Sequence, residues 1–508
     1  MSEEKKEEKK IDRRKYIKYV GAGAVVAAAA AIGYGISELT KPAPPTPTTI
    51  VTTALKTETL PGTTIVRTEE RTIVQTAVTT VPTTIVTTPS KKTFKVWAIS
   101  KYVKEVNNYL ALKLSEWGKK NNIDVEITWV TFAEQTPKLV AAIEAKTLPD
   151  LMYIEGPALG AIAEEGKPKY VIPVDDLINE VGKDDFYEQW LDFYKMEGKH
   201  YLFPINAFAN LTHIIKPMLE SVGIKEFPDS KGPIPKSWAD WEEFAKAYKK
   251  KFPDKPVFGL TLGPGAGDGS ESWEMVWWPY GGALMKSQGK AGITFKSEVT
   301  YETLERFLDW WDKGYFPKDA FSTDGFYNNN CYLAEITPMI VEGPTPYYAA
   351  VTRKPELAGK TILTGCPSGP AGSITYTCED GFVIFKDSPN QDLAKDFILF
   401  FVKDKDAFMD GFIKPTFGGL SPVFKSIGEK LKAFSPTWKF IIEDLEKCKP
   451  ANVSWTYNLP SKAADTIHWD FTYPTMLSRA LIDRIPIDSA VEEAYKHIVE
   501  VFESVYGY

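Results

Sequence analysis

From Phe94 onward, the chain repeats its apolar residues with two different periods. FKVWAIS is a short aromatic and β-branched run that predicts a buried strand, and YLALKLSEWGKKNN has apolar residues at helical spacing. DVEITWV alternates like a second strand, and EQTPKLVAAIEAKTLPDLMYIEG predicts a further helix and strand with Pro149-Asp150 at their junction. This alternation of strands and helices favours an α/β domain with a mostly parallel sheet.

Later segments continue the pattern to the C-terminus. ALGAIAEEG, PKSWADWEEFAKAYKK, YETLERFLDWWDKG and NQDLAKDFILFFVKD are predicted to be helices, and DGFVIFK is a buried apolar run between the last two of them. Ser237 stands at the start of the second helix. It is a candidate N-cap, because a serine hydroxyl accepts hydrogen bonds from the free amides of a first helical turn.

The first forty residues have the pattern of an export signal. Residues 1–19 are charged and include Arg13-Arg14, and an uncharged run, YVGAGAVVAAAAAIGYGIS, overlaps residues 20–40. The paired arginines, followed by an aromatic residue, an aliphatic residue and a lysine, resemble a twin-arginine signal, with an ordinary signal anchor as the alternative. The run is long enough to cross about 30 Å of hydrocarbon. Because no clear cleavage site follows, residues 20–40 are predicted to be a retained anchor rather than a cleaved signal, with the body on the extracellular face of the membrane.

Residues 41–92 are predicted to be a stalk. Thr occupies eighteen of the positions from 41 to 90, Pro recurs, and Phe, Tyr and Trp are missing from this stretch. Such a composition does not bury enough apolar surface to offset chain entropy, so we expect a disordered, Thr-rich linker. The Thr-Ile-Val clusters leave short strands of a small β-module as the alternative.

Composition and charge narrow the function classes for the 508-residue chain. Apolar residues make up 44% and charged residues 25%, as in soluble globular proteins, which excludes a polytopic membrane protein and a collagen. The net charge of the chain is -7. Residues 1–20 have eight basic and five acidic groups, a charge of +3, and residues 21–90 have four of each, a charge of zero. Residues 91–508 therefore carry a net charge of -10. An acidic body disfavours nucleic-acid binding, which depends on Lys and Arg neutralising phosphates.

Eight segments, in order, resemble the extracellular solute-binding proteins of ABC importers, in particular the sugar-binding family that includes maltose-binding protein. The resemblance covers residues 93–505. The segments are LPDLMYIEGPALGAIAEEG, VIPVDDLINE, GKHYLFPINAFANLTHIIKPMLESVGI, IPKSWADWEEFAKAYKK, WWPYGGALM, MIVEGPTPYY, DGFVIFKDSPNQDLAKDFILFFV and PTFGGLSPVFKS. One departure is Thr345 after Gly343-Pro344, where the family commonly has Trp. Together with Asn206 and Phe208 in the crossing strand, it puts maltose itself in doubt.

The resemblance implies a type II periplasmic-binding-protein-like fold, with two three-layer α/β lobes joined by a hinge that closes on ligand. By motif position, residues 93–205 and 361–400 form lobe one, and residues 206–360 and 401–508 form lobe two. Hinge segments are expected near residues 204–210 and 355–365. The implied function is capture of a sugar or oligosaccharide and its delivery to the permease subunits of an ABC transporter, without catalysis.

Aromatic residues make up 13% of the chain, more than a core of this size usually needs. Sugars stack their C–H faces on aromatic rings and bond their hydroxyls to polar side chains, so a sugar cleft needs both kinds of residue. For each aromatic candidate, plain core packing is the alternative. The candidate ligand residues are Tyr153, Glu155, Asn206, Phe208, Trp273, Trp278, Tyr347, Trp455 and Trp469.

Other site chemistry is not predicted. The four His residues are scattered without metal-ligand spacing, and the Gly-rich run at 263–270 lacks the Lys of a phosphate loop, so neither a metal nor a cofactor is expected. Cys366 and Cys378 are the candidate disulfide, with free buried thiols as the alternative. The remaining functional alternatives are a peptide, polyamine or other small solute on the same fold and, less favoured, a surface-anchored glycoside hydrolase.

Overall fold

The computed structural model describes residues 50–60, 63–73 and 91–507, the last range without 164–166, 265–266, 288, 323–325, 448, 452–455 and 457–458. The chain divides into two compact units, Met1–Pro89 and Ser90–Tyr508. The predicted charged segment 1–19 and apolar anchor 20–40 lie outside the described residues. Among the residues that are described, no helix has both the length and the apolarity that a bilayer crossing requires.

The first unit contains an antiparallel strand pair. Strands β1 (Ile50–Leu60) and β2 (Thr63–Ile73) pair along their whole length, with Ile50 opposite Ile73. Here the structure differs from the predicted disordered stalk and agrees with the alternative of short strands. The physical reason is the density of Thr, Val and Ile, whose branched β carbons favour extended backbone.

The second unit, called the body below, has two sheets. Its strands are β3 (Lys92–Ile99), β4 (Ile123–Val130), β5 (Leu151–Glu155), β6 (Phe203–Ala209), β7 (Leu211–Ile215), β8 (Met339–Glu342), β9 (Thr361–Gly365), β10 (Ile374–Ile384), β11 (Ser421–Pro422) and β12 (Lys449–Ala451).

The larger sheet defines the first lobe and has the order β11-β6-β10-β5-β3-β4, with β12 paired to β10. Strand β3 runs parallel to β4 and β5, whereas β10 is antiparallel to β5 and β6. The sheet is therefore mixed and not mostly parallel as predicted. The smaller sheet, with the order β8-β7-β9 and both neighbours antiparallel to β7, defines the second lobe.

Helices cover both sheets. They are α1 (Lys104–Asn121), α2 (Gln135–Ala145), α3 (Asp175–Val181), α4 (Glu188–Leu191), α5 (Lys216–Glu220), α6 (Trp238–Lys251), α7 (Asp268–Trp277), α8 (Glu298–Asp312), α9 (Tyr327–Leu333), α10 (Thr345–Arg353), α11 (Pro355–Ala358), α12 (Gln391–Val402), α13 (Lys405–Phe408), α14 (Lys425–Phe434), α15 (Pro436–Lys447), α16 (Lys462–Trp469), α17 (Thr472–Leu481) and α18 (Ile487–Tyr506). Short 3₁₀ turns occupy Phe132–Glu134, Gly156–Ala161, Lys183–Asp185, Trp278–Tyr280, Lys290–Gly292 and Lys414–Thr416, and a π turn occupies Met409–Ile413.

Two local predictions have different outcomes. Ser237 caps α6 as predicted, since its Oγ accepts a hydrogen bond from the amide of Asp240 at 3.0 Å. In contrast, the segment predicted as a helix from ALGAIAEEG contains only the 3₁₀ turn Gly156–Ala161 in its described part. That turn packs closely on another element, because a β carbon on Gly160 would lie 2.9 Å from the carbonyl oxygen of Ser461.

The first lobe has the three layers that the sequence predicts. Leu151 and Tyr153 of β5 contribute to one apolar cluster, whereas Met152 and Ile154 contribute to the cluster on the opposite face. Successive side chains of a strand point to opposite faces, so both faces of this sheet are covered. All five residues of β5 are buried.

Two segments lie in a different lobe from the one predicted for them. Strand β9 pairs only with β7 in the second-lobe sheet, although residues 361–400 were assigned to lobe one. Residues from Phe401 to Leu445 pack in the first-lobe core, although they were assigned to lobe two. The amphipathic helices α12 to α15 explain the second difference, because their apolar faces are buried on the first lobe.

Candidate functional site

A single residue connects a strand of the larger sheet to a strand of the smaller sheet. Strand β6 of the first lobe ends at Ala209 and β7 of the second lobe begins at Leu211, so Asn210 alone lies between them. Asn210 is fully buried, and its Nδ2 donates to Oε2 of Glu271 at 2.9 Å. Buried polar side chains surround this crossing on both sides, and they form the candidate site.

On the first-lobe side, four residues form a hydrogen-bonded network. The hydroxyl of Tyr153 donates to Oδ1 of Asn206 at 2.6 Å, and Nδ2 of Asn206 donates to Oδ2 of Asp380 at 2.6 Å. Lys101 Nζ pairs with the same carboxylate oxygen of Asp380 at 2.6 Å. The register explains the convergence, because Asp380 of β10 lies opposite Asn206 of β6 and Glu155 of β5.

Glu155 is the last residue of β5 and is fully buried. Its Oε2 accepts a hydrogen bond from Nε2 of Gln135 at 3.2 Å, and its backbone amide donates to Oε1 of Gln135 at 3.3 Å. Gln135 begins α2, so the helix start and the strand end hold each other in place. The charge of Glu155 contributes to raising the pKa of Glu271 in the second lobe, after burial and the charge of Glu274.

On the second-lobe side, carboxylates recur along α7. Asp268, Glu271 and Glu274 follow one another at intervals of three residues, which brings them to one side of the helix. Burial raises the pKa of Asp268 to about 8, helped by the charge of Glu271, and burial raises the pKa of Glu271 to about 7. Glu342, at the end of β8, accepts a hydrogen bond from Nδ2 of Asn328 at 2.5 Å. Burial, then the charges of Asp268 and Glu271, raise the pKa of Glu342 well above its ordinary value.

Helix α16 adds two more buried titratable groups. Nδ1 of His468 lies 3.3 Å from both carboxylate oxygens of Glu274, and its ring stacks on Tyr376 with 5.6 Å between centroids. Burial lowers the pKa of His468, but the nearby carboxylates of Glu274 and Glu271 turn the net shift upward. Asp465 accepts a hydrogen bond from Oγ1 of Thr136 in α2 at 3.0 Å, which links the lobes.

We call Glu155, Asp268, Glu271, Glu274, Glu342 and Asp465 the acidic cluster. Its members come from β5, α7, β8 and α16, which are far apart in sequence. The sequence interpretation found only Glu155. The sequence signal for the other members is the three-residue spacing of Asp268, Glu271 and Glu274, which begins inside the Gly-rich run at 263–270.

Three of the other predicted ligand residues lie at the crossing or contact the opposite lobe. Phe208 is half-buried and lies at the crossing. A β carbon built on Gly343 would be 3.5 Å from Cδ2 of Phe208 and 3.7 Å from Oδ1 of Asn210, so both side chains lie next to that glycine. Trp469 and Tyr347 each reach the other lobe: the Trp469 ring lies 5.6 Å from that of Phe132, and the Tyr347 hydroxyl lies 3.5 Å from Oγ1 of Thr437.

The remaining two described tryptophans are packed in the second-lobe core. Trp273 is fully buried and stacks between Phe307 and Tyr473, with centroid distances of 5.8 and 6.2 Å. Trp278 is 1% exposed and stacks on Tyr376. Both side chains belong to the buried apolar cluster of the second lobe, as the core-packing alternative predicts, and not to an exposed cleft. Trp455 lies outside the described residues.

A second set of aromatic rings spans the lobes near the surface. Tyr102 lies 5.7 Å from Phe326 and 6.3 Å from Tyr348, and Tyr348 lies 6.0 Å from Phe417. Tyr102, Phe326 and Phe417 are between 38% and 52% exposed, which is unusual for large apolar side chains. We call these four residues the aromatic rim.

The predicted disulfide stays a prediction. The Sγ of Cys366 lies 3.1 Å from the carbonyl oxygen of Asn210 and 3.2 Å from Oγ1 of Thr375, next to the crossing. The side chain of Cys378 lies outside the described residues.

One protein family matches the chain over more than half of its length. The family described as bacterial extracellular solute-binding protein matches residues 100–408. A putative binding protein of Brucella abortus is 26% identical over 271 residues, which is 53% of this chain, and a putative binding protein of Brucella suis matches equally. The chain spans 62% of the length of these curated relatives.

Solved structures extend the likeness to most of the body. An ABC transporter solute-binding protein from Thermotoga lettingae, bound with α-D-tagatose, has a TM-score of 0.65 at 20% identity and covers 81% of this chain and 100% of its own. The GacH receptor of Streptomyces glaucescens, solved unliganded and with acarbose, has a TM-score of 0.64 at 18% identity, with coverages of 81% and 99%. At these identities the likeness establishes the fold, which is the two-lobed α/β architecture predicted from the sequence.

Proposed function

The chain belongs to the bacterial extracellular solute-binding protein family, and from that premise we propose that it captures a sugar or oligosaccharide between its lobes and delivers it to the permease of an ABC importer. The observation that carries the proposal is the convergence of polar and aromatic side chains from both lobes at the Asn210 crossing. Asn206, Asp380 and Glu155 supply the donors and acceptors that sugar hydroxyls need, and Trp469 with Phe132 supplies apolar ring faces.

Closure of the lobes on ligand follows from the same geometry. A ligand stabilises a closed state only if it contacts both lobes in that state. Thr136 and Asp465 already bridge the lobes through a hydrogen bond. Asn210 and the segment between β9 and β10 are the connections about which the lobes would turn.

The proposed location is the extracellular face of the cell membrane. The family description supports an extracellular position, and the charged and apolar segments at residues 1–40 support export with a retained anchor. N-terminal sequencing of protein recovered from membranes and from medium tests the anchor. Protein found only in the medium, with its N-terminus beyond residue 36, would contradict it.

A thermal-shift screen against mono- and oligosaccharides tests the function itself. A ligand at 100 times its dissociation constant stabilises the folded state by about 2.7 kcal/mol, which such a screen detects. The bound sugar should be recovered unchanged, as expected of a binding protein. Shortened products that vanish on mutation of a carboxylate pair would favour a glycoside hydrolase, and stabilisation only by peptides or polyamines would contradict sugar binding.

A further inference from the structure

The four rings of the aromatic rim come alternately from the two lobes. Tyr102 lies between β3 and α1, and Phe417 lies in the segment before β11, so both belong to the first lobe. Tyr348 lies in α10 and Phe326 directly precedes α9, and both of these helices contribute to the second-lobe core. In the order Phe417, Tyr348, Tyr102 and Phe326, successive ring centroids are 6.0, 6.3 and 5.7 Å apart. Each of these three ring contacts therefore joins one lobe to the other.

Two further contacts connect α10 of the second lobe to the start of α1 in the first lobe. The hydroxyl of Tyr348 donates to Oε2 of Glu105 at 3.3 Å, and the guanidinium of Arg353 lies 5.8 Å from the ring centroid of Tyr102, where a cation is attracted to the ring. Tyr348 also packs against the first-lobe core, although Ala350 of the same helix is buried in the second-lobe core. Helix α10 is thus held by both lobes.

The rim concentrates exposed apolar surface at this one place. Among the described residues, eight large apolar side chains are exposed, and three of them are Tyr102, Phe326 and Phe417. Separation of the lobes would also expose the ring faces that are now in contact. Because exposing apolar surface to water is unfavourable, the rim favours the arrangement in which the lobes touch.

The backbone at Phe417 supports a function for its ring. Its φ is +49°, in the left-handed region that non-glycine residues rarely adopt, and Gly418 follows with a φ of +99°. This turn is wedged between the lobes: a β carbon on Gly418 would lie 2.2 Å from Cδ1 of Ile441 in α15 and 3.9 Å from Cβ of Pro344, which precedes α10. Strained backbone of this kind persists where the surroundings impose it, and it is concentrated at functional sites.

We propose that the aromatic rim controls lobe closure, because it stabilises the closed arrangement through contacts between the lobes that need no ligand. Tyr348 is its main determinant, since its ring contacts both first-lobe rings of the rim. The rim residues are positioning residues: the affinity for any ligand that both lobes hold is scaled by the closed fraction of the protein. The inference rests on the lobe closure in the proposed function and not on the identity of the ligand.

Hydrogen exchange of the full-length protein, measured by mass spectrometry without added ligand, tests the inference at a different contact between the lobes. The reporter segments are residues 132–136 and 461–469, where Thr136 bonds to Asp465 and the Phe132 ring lies 5.6 Å from that of Trp469. Amides that only closure covers exchange in proportion to the open fraction. Tyr348→Ala removes two ring contacts, each worth about two- to tenfold in an equilibrium constant, so the reporter segments should exchange about tenfold faster.

Two other variants separate closure from overall stability. Phe417→Asn removes one ring contact but suits the left-handed backbone, so exchange in the reporter segments should be about two- to tenfold faster while the urea midpoint stays equal or rises. Phe434→Ala is the matched control, because Phe434 of α14 is 62% exposed and its ring contacts Lys414 of the same lobe. It should leave the reporter segments unchanged. Exchange in β5, which is buried in the first-lobe core, should be unchanged in all three variants.

The outcomes distinguish this inference from sugar binding. Faster exchange confined to the reporter segments in Tyr348→Ala and Phe417→Asn would support control of closure by the rim. Unchanged reporter segments in both variants would overturn it. Equal acceleration of the reporter segments and β5 would also overturn it, since the rim would then contribute only to overall stability. Neither negative result affects sugar binding, which the thermal-shift screen tests separately, and a screen without any sugar hit would leave the role of the rim standing.

Discussion

The replacement Asp465→Asn should make the stability of the ligand-free protein less dependent on pH. Asp465 is fully buried on α16, and its Oδ2 accepts a hydrogen bond from Oγ1 of Thr136 at 3.0 Å. Burial raises its pKa from 3.8 to about 7, against smaller opposite contributions from Thr136, His468 and Trp469. Asn has the same shape and can still pair with the Thr136 hydroxyl, so the replacement removes the titration with little change in packing.

The direction and size of the effect follow from proton linkage. A carboxyl whose pKa is higher in the folded state binds its proton more tightly there, so its contribution to stability is complete below about pH 4 and is lost as pH rises through about 7. A shift of about three pKa units corresponds to about 4 kcal/mol, of which about 2.5 kcal/mol is lost between pH 5 and pH 8. Asp268 and Glu271 titrate in the same direction, so the variant should retain part of the slope.

Urea denaturation at pH 5 and pH 8 measures the effect in the wild type, in Asp465→Asn and in a control. The control, Asp254→Asn, changes an exposed aspartate in a surface loop. We expect the loss of unfolding free energy between the two pH values to be about 2.5 kcal/mol smaller in Asp465→Asn than in the other two proteins. An equal loss in all three would refute the reasoning, since it would show that the buried carboxyl does not titrate in this range.

Three further predictions concern the site, its closure and one helix. Glu155→Ala should weaken ligand binding by about ten- to a hundredfold, and more than Tyr347→Ala does, because a charged hydrogen bond contributes more binding free energy than one ring contact. Calorimetric titration of both variants with the identified ligand measures the two losses of affinity. A larger loss in Tyr347→Ala would contradict this order. A saturating ligand should reduce the radius of gyration in solution scattering, and identical profiles would count against lobe closure. Ser237→Ala should cost about 1 kcal/mol of stability in urea denaturation, because it leaves the amide of Asp240 without its cap, and an unchanged midpoint would show that the cap contributes nothing.

The parts of the fold that the sequence predicts are those with a local cause. Apolar periodicity predicts β3, α1 and β4 in order, and the hydroxyl of Ser237 predicts the start of α6. The resemblance adds the two-lobed architecture, which local patterns do not contain. The lobe boundary near residue 400 was misplaced because α12 to α15 are amphipathic whichever lobe receives them, and only tertiary packing decides between the two cores.

The site was predicted only in part, because its residues meet through tertiary structure. Tyr153, Glu155 and Asn206 could be selected from the sequence because they end or cross strands, where ligands collect in open α/β sheets, and their role in ligand binding stays a prediction. Trp273 was misassigned because an aromatic residue has the same sequence signature in a core as in a cleft, and its stacking partners Phe307 and Tyr473 come from distant helices. Glu342 was missed because nothing in its own segment shows that the charge of Asp268 acts on it.

The buried charges of the site are of two kinds, and the contrast assigns them different roles. Asp380 has a complete set of partners, because Lys101 neutralises it and Asn206 hydrogen-bonds it, so its position is fixed with or without a ligand. Glu271 instead receives one amide hydrogen bond, and burial raises its pKa to about 7. An ion pair fixes the position of a buried carboxylate, whereas burial without one favours the protonated form of the carboxyl. Asp380 therefore belongs to the fixed frame of the crossing, whereas Glu271 is a carboxyl at the crossing whose protonation state changes near neutral pH.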